Sequence, residues 1–105
     1  MAAMARHRVA GVGDLPPGEL RRVEVGGVAL CLAHVKDKGV CALADVCSHE
    51  EIELSDGWLD GDEVECPMHG SRFNAFTGAV RGLPANQPVR AYPVETDGDD
   101  LFVEL

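Results

Sequence analysis

Cys47-Ser48-His49 and, further along, Cys66-Pro67-Met68-His69-Gly70-Ser71 are the two stretches on which the reading of this chain turns; sixteen residues separate His49 from Cys66. Each couples a thiol to an imidazole across one or two intervening residues. That spacing lets both side chains reach one small object from neighbouring backbone positions. A tetrahedral zinc accepts two thiolates and two imidazoles, but its ligands normally come as Cys-x₂₋₄-Cys and His-x₃₋₅-His, like with like. Here each half supplies one of each. The mixed pairing suits two irons bridged by sulfide, both cysteines on one iron and both histidines on the other. A zinc-stabilised interaction module is the alternative. Colour, with iron and acid-labile sulfide content, separates the two.

Outward from these stretches, apolar runs are short and turn residues frequent, among them twelve glycines and six prolines. Val23 to Val25 leads into Gly26-Gly27, a tight turn, and Val28 to Val35 is a β-rich run. Lys36-Asp37-Lys38-Gly39 reads as a hairpin loop, with Val40 to Val46 returning. Later runs are Glu63 to Cys66, Arg72 to Phe76, Val89 to Val94 and Leu101 to Leu105. Asp14 to Leu20, with Pro16-Pro17, reads as a loop or one helical turn. No helical period is sustained, no repeat appears and no linker divides the chain. The pattern predicts an all-β domain of many short strands.

At 105 residues the chain has the length of one domain, 1–105, with no room for a catalytic domain beside a cofactor domain. Eighteen acids against nine Lys and Arg give a net charge of −9. That excludes nucleic acid and anionic lipid as partners, since phosphate contacts need clustered cations. It favours protein partners with positive patches. The N-terminus lacks the apolar core of a secretory signal, and no stretch has the length of a transmembrane helix. Without a signal, a metal site explains Cys47 and Cys66 better than disulfides do. A cytoplasmic monomer is the expectation.

The residues resemble the Rieske iron–sulfur family. Cys47-x-His49 and Cys66-x-x-His69-Gly70-Ser71 look like its signature. Val40 to Val46 looks like the strand entering the first loop, and Asp60-Gly61-Asp62-Glu63-Val64-Glu65 like the hairpin leading to the second. Phe73 to Gly78 looks like the exit segment, and Gly82-Leu83-Pro84-Ala85 like the proline loop covering the cluster. The likeness spans roughly residues 22 to 105. It implies a Rieske fold: an antiparallel β-sandwich or barrel-like base carrying a small cluster-binding subdomain at about 45–85. One 2Fe–2S cluster follows, with Cys47 and Cys66 on the buried iron and His49 and His69 on the outer iron. An imidazole edge is then the electron's exit. In the family a Ser at the Ser71 position can bond a bridging sulfide, and Pro84 would shield the cluster. No coordination position is left for substrate, so the chain is expected to carry electrons rather than catalyse.

Respiratory and photosynthetic members carry a loop disulfide whose positions here are Ile52 and Met68, a membrane anchor missing here, and a Tyr where Phe73 stands. The lost hydroxyl removes a hydrogen bond that would stabilise the added electron. The expected potential therefore lies toward the lower end of the family range of about −150 to +300 mV. The whole pattern looks most like the soluble ferredoxins of bacterial aromatic-ring-hydroxylating dioxygenases. These pass electrons from an NAD(P)H-dependent flavoprotein reductase to a terminal Rieske non-haem iron oxygenase. A fixed Rieske subunit of a larger oxidoreductase, such as an assimilatory nitrite reductase, is the second reading.

Between Gly39 and Ser71 there is no Lys or Arg, but nine acids: Asp45, Glu50, Glu51, Glu53, Asp56, Asp60, Asp62, Glu63 and Glu65. Glu50, Glu51, Glu53 and Asp56 are the candidate docking acids, since weak electron-transfer encounters gain from steering. Cys31 and Cys41 are expected as buried thiols, with Cys31 facing about Ala44 and Cys41 about His34. His7 and His34 are expected at the surface, Trp58 beneath the first cluster loop, and Phe73 and Phe76 in the core.

Overall fold

The computed structural model describes residues 6–47, 52–67, 70–82 and 87–105. From the N-terminal side come β1 (Arg6–Gly11), a 3₁₀ turn at Val12–Asp14, then β2 (Leu20–Val25), β3 (Val28–Val35) and β4 (Gly39–Ala44). A second 3₁₀ turn, Leu54–Asp56, leads to β5 (Trp58–Asp60), β6 (Glu63–Glu65), β7 (Arg72–Asn74) and β8 (Val80–Gly82). The chain continues through β9 (Ala91–Tyr92), β10 (Val94–Asp97) and β11 (Asp100–Glu104). All described pairings are antiparallel and form three sheets, ordered β1-β11-β10, β2-β3-β4-β9 and β5-β6-β7-β8. The expected all-β class is therefore what the chain adopts.

The apolar runs explain the layering. Leu30 and Leu32 of β3 and Ala42 of β4 pack with Leu101 and Val103 of β11. The alternate residues, Cys31, Ala33, Val35, Cys41 and Leu43, pack with Leu54, Val64 and Phe73 on the other side. The sheet containing β3 and β4 is thus a middle layer covered on both faces. A strand covered on both faces reads as a continuous apolar run instead of an alternation, and Val-Ala-Leu-Cys-Leu-Ala-His-Val is such a run. The β2–β3 connection is Gly26-Gly27, with φ of 55° and 78°. Both positive angles match the turn whose twist suits a two-residue hairpin.

Several boundaries differ from the sequence reading. β4 starts at Gly39, opposite Val35, so Cys31 faces Leu43 and Cys41 faces Ala33, one place from expectation. It also ends at Ala44, where the chain leaves the ladder toward the first loop. The run Val89 to Val94 is split, because Pro93 has no N–H for a ladder. β1 was not expected. Its Arg6 and Arg8 face outward and pair with Glu95, Asp97 and Asp100 of the neighbouring strands, so no apolar run announces it. His34 is half-buried rather than at the surface: its Nδ1 lies 2.7 Å from the Leu15 carbonyl oxygen and ties the Pro16-Pro17 loop to β3. His7 is also half-buried. No helix among the described residues is long and apolar enough to cross a membrane.

Candidate metal centre

Two loops leave different sheets and close in the same way. After β4, the Cys47 N–H donates to the Ile52 carbonyl at 2.8 Å. After β6, the Cys66 N–H donates to the Ser71 carbonyl, also at 2.8 Å. In each case the cysteine is the first residue of a closed six-residue span, and the histidine of the motif falls within that span in sequence. Cys47 is 3% exposed and Cys66 1%, and both belong to one apolar cluster with Leu54, Val64 and Phe73. The structure therefore brings two thiols from separate loops into one core. No disulfide joins any of the four cysteines. Ser71 is fully buried, and its carbonyl closes the second loop. His49, His69, Pro84, Glu50 and Glu51 lie outside the described residues.

This donor set fits an iron–sulfur group. Thiolate is the soft donor such clusters require. Cys47 and Cys66 are buried where water is excluded, and each loop supplies one imidazole nitrogen source in sequence. A 2Fe–2S cluster bound here supplies one reversible electron. The chain supplies burial, fixed loop geometry and the surrounding charge.

Support for the first loop comes from residues that sequence reasoning placed otherwise. Asp45 counted among the surface acids, yet its side chain is 0% exposed. Its Oδ1 accepts the Ser55 N–H at 2.7 Å, and its Oδ2 accepts the Ser55 hydroxyl at 2.6 Å and Arg22 Nη1 at 3.1 Å. Arg22 also reaches Glu53 at 3.1 Å. The segment that closes the loop is thereby stapled to β2 and to the end of β4. The signal that could have found Asp45 is parity: it shares the inward side with Cys41, Leu43 and Cys47.

The sheet β5-β6-β7-β8 carries the second loop. Leu59, Val64 and Phe73 share one row facing the core, so Phe73 is buried as expected. Alternation then sends Trp58 outward, and it is 52% exposed instead of packed beneath the first loop. Phe76 is 37% exposed instead of in the core. The cause is Asn74, whose side-chain oxygen accepts the Phe76 and Thr77 N–H groups and turns the chain away after Ala75. On the outer face Arg72 bonds Asp60 at 2.9 Å, Glu63 at 3.3 Å and Glu65 at 2.7 Å. Those carboxylates raise its pKa above the ordinary value, Asp60 most. Lys38 pairs with Asp62. Six of the nine acids in the cation-free stretch are therefore paired within the chain, by Arg22, Lys38 and Arg72 from outside it. Of the candidate docking acids, Glu53 is one of these, and Asp56 is exposed.

Cys31 and Cys41 are buried, as expected, on the face of the middle sheet that lines the core shared with Cys47 and Cys66. Burial pushes the Cys41 thiol up to about 12. Cys31 is raised by burial first and by the Asp45 charge second. Both stay protonated at neutral pH and fill the core as small apolar groups.

An all-β scaffold presenting two thiols from paired Cys/His loops defines an iron–sulfur electron-transfer protein. The Rieske [2Fe-2S] domain matches residues 5–93, and the chain belongs to that family. It is 39% identical over 102 residues to the ferredoxin component of biphenyl 2,3-dioxygenase from Rhodococcus jostii (strain RHA1), covering 97% of this chain and 94% of that protein. The structure resembles the ferredoxin of carbazole 1,9a-dioxygenase from Nocardioides aromaticivorans IC177, with a TM-score of 0.89, 38% identity, and coverage of 93% and 95%. It also resembles the ferredoxin in a complex of reduced oxygenase and oxidized ferredoxin of carbazole 1,9a-dioxygenase, with a TM-score of 0.86, 37% identity, and coverage of 93% and 91%. The cofactor is accordingly a Rieske-type 2Fe–2S cluster, and the role is that of an electron carrier rather than a catalyst.

Proposed function

We propose that this chain, as a single Rieske domain in the cytoplasm, passes single electrons from an NAD(P)H-dependent flavoprotein reductase to a terminal Rieske oxygenase acting on an aromatic substrate. Cys47 and Cys66 hold one iron, and His49 and His69 the other. The observation that carries the reading is the convergence of Cys47 and Cys66 in one buried cluster from two identically closed loops. It is supported by the relatives' names as dioxygenase ferredoxins and by the oxygenase complex formed by a similar protein. The buried phenyl ring of Phe73 offers no hydroxyl to the cluster, which supports a potential low in the family range.

Docking rests on fewer charges than the sequence offered. Six of the nine acids are paired internally; Asp56 is exposed, and it and the sequence candidates Glu50 and Glu51 are the steering charges of this reading. Trp58 stands opposite Glu65, the residue preceding Cys66, so its indole falls within the footprint of any partner that covers the second loop.

Reconstitution tests the reading. The purified holoprotein is combined with NADH, flavoprotein reductases and ring-hydroxylating oxygenases, and product is measured with and without it. The expected result is hydroxylation that requires this chain and slows as salt rises. Product formation at the same rate without the chain overturns the carrier role, and a midpoint above the middle of the family range overturns the low-potential expectation.

A further inference from the structure

Among the described residues, Asp45 is the only buried acid. It lies on the face of the middle sheet that carries Cys31, Cys41 and Cys47, close enough for its charge to act on the Cys31 thiol. Its neutralising partner, Arg22, comes from β2, an edge strand, and is one-third exposed. Ser55, which donates twice to Asp45, is flanked by Leu54, which is fully buried against Cys47 and Cys66, and by Asp56. This arrangement has two consequences. The ion pair fixes the segment that closes the first loop. It also places a buried negative charge, only partly offset, beside the core that holds Cys47 and Cys66.

We propose that Asp45 and Arg22 are a positioning and charge-tuning pair for the cluster. Asp45 disfavours the added electron and lowers the potential, and Arg22 offsets part of that effect. Ser55 keeps the carboxylate in place while the electron comes and goes. The proposal rests on the reading that a 2Fe–2S cluster is bound at Cys47 and Cys66. Neither residue belongs to the Cys/His donor set, so each acts through charge and through the loop it holds. A charge buried in a low-dielectric core interacts more strongly than one in water. Arg22 also serves Glu24 at 3.6 Å and Glu53 at 3.1 Å, so a single cation faces three carboxylates and the local balance stays negative.

The test is a redox titration of three variants of the holoprotein. Asp45→Asn removes the charge and keeps an oxygen for the Ser55 N–H. Arg22→Gln removes the cation from a partly exposed position and keeps an amide that can still donate to Asp45. The double variant removes both. The expected result is opposite movement: Asp45→Asn gains electron affinity and Arg22→Gln loses it, each by roughly tenfold, or about 59 mV for one electron. The double variant falls between the two. A purely structural role would loosen the loop in both variants and would not give opposite signs. Shifts in the same direction, or no shift in either, overturn the proposal. Iron and sulfide content of the wild-type protein keeps this separate from the underlying reading: a wild-type protein without a 2Fe–2S cluster overturns that reading instead. Should Asp45→Asn fail to fold, Arg22→Gln alone still decides, since an unchanged or raised potential refutes the tuning role.

Discussion

Gly57 sits where the two loop systems cross, and adding one methyl there tests how tightly they are locked. A Cβ at this position would stand 1.9 Å from the Glu65 carbonyl oxygen and 3.2 Å from the Leu54 carbonyl oxygen. Ordinary contact begins at 3.4 Å, so the backbone at Glu65 or Gly57 must move by about 1.5 Å. Neither side yields easily. Gly57 donates to Leu54 at 2.9 Å, and Glu65 pairs with both Trp58 and Arg72 in the ladder. Overpacking of this kind costs about 1–3 kcal/mol, and one disrupted ladder bond adds about 1 kcal/mol. Gly57→Ala should therefore lose about 2–4 kcal/mol of a total on the order of 5–15 kcal/mol. For a domain near 100 residues that lowers Tm by roughly 10–25 °C. Because Glu65 directly precedes Cys66, iron retention should fall as well. Gly13→Ala is the control, with nothing within 4 Å of the added carbon, and should stay within about 0.5 kcal/mol of wild type. Thermal unfolding followed by far-UV dichroism, with iron and sulfide assays on the same samples, measures both effects. A Gly57→Ala protein as stable as the control, with full iron, refutes the close-crossing account.

Three further outcomes are expected. Cys47→Ser and Cys66→Ser should each abolish acid-labile sulfide and visible absorption, whereas Cys41→Ala, altering a thiol buried only as packing, should keep both; loss of colour in all three would merge the two classes of cysteine. Trp58→Ala should change stability by under about 1 kcal/mol, since the ring is half exposed, and leave the potential unchanged while slowing electron delivery to the oxygenase. Equal delivery rates in stopped-flow mixing would remove Trp58 from the docking surface. The Cys41 thiol ionises near 9.0 when unfolded and near 12 when folded. Its contribution to stability is thus complete below pH 9 and is lost as pH rises toward 12, because the unfolded chain then holds fewer protons. Urea midpoints above pH 9 should fall less steeply in Cys41→Ala than in wild type, and identical slopes would contradict the burial assigned to this thiol.

What the sequence made legible was local. The Gly26-Gly27 turn and the run over Val28–Val35 are signals carried by neighbouring residues, and the chain follows them; the run Val40 to Val46 is followed as strand as far as Ala44, and Cys47 and Cys66 of the Cys/His spacings meet in one core. What stayed hidden depends on residues far apart. β1 and the three-residue β5 and β8 are strands whose existence comes from their partners rather than from an apolar pattern. The acidic stretch looked like a free surface because Arg22, Lys38 and Arg72, which neutralise most of it, lie outside it. Asp45 was misplaced for the same reason: an acid reads as exposed until a partner across the fold accounts for it. Trp58 and Phe76 show the converse, since an aromatic ring reads as core until edge-strand parity or an Asn74 turn sends it outward.

The middle sheet is a wall common to two rooms. One side of β3 and β4 lines the core closed by Leu101 and Val103; the other lines the core that receives Cys47 and Cys66. Neither room can be emptied while the other stands, because each would lose its wall. A lesion on the side away from the metal site, such as Leu101→Ala, is therefore felt at the cluster loops. Bleaching of the cluster and unfolding of the distant strands then belong to one cooperative event.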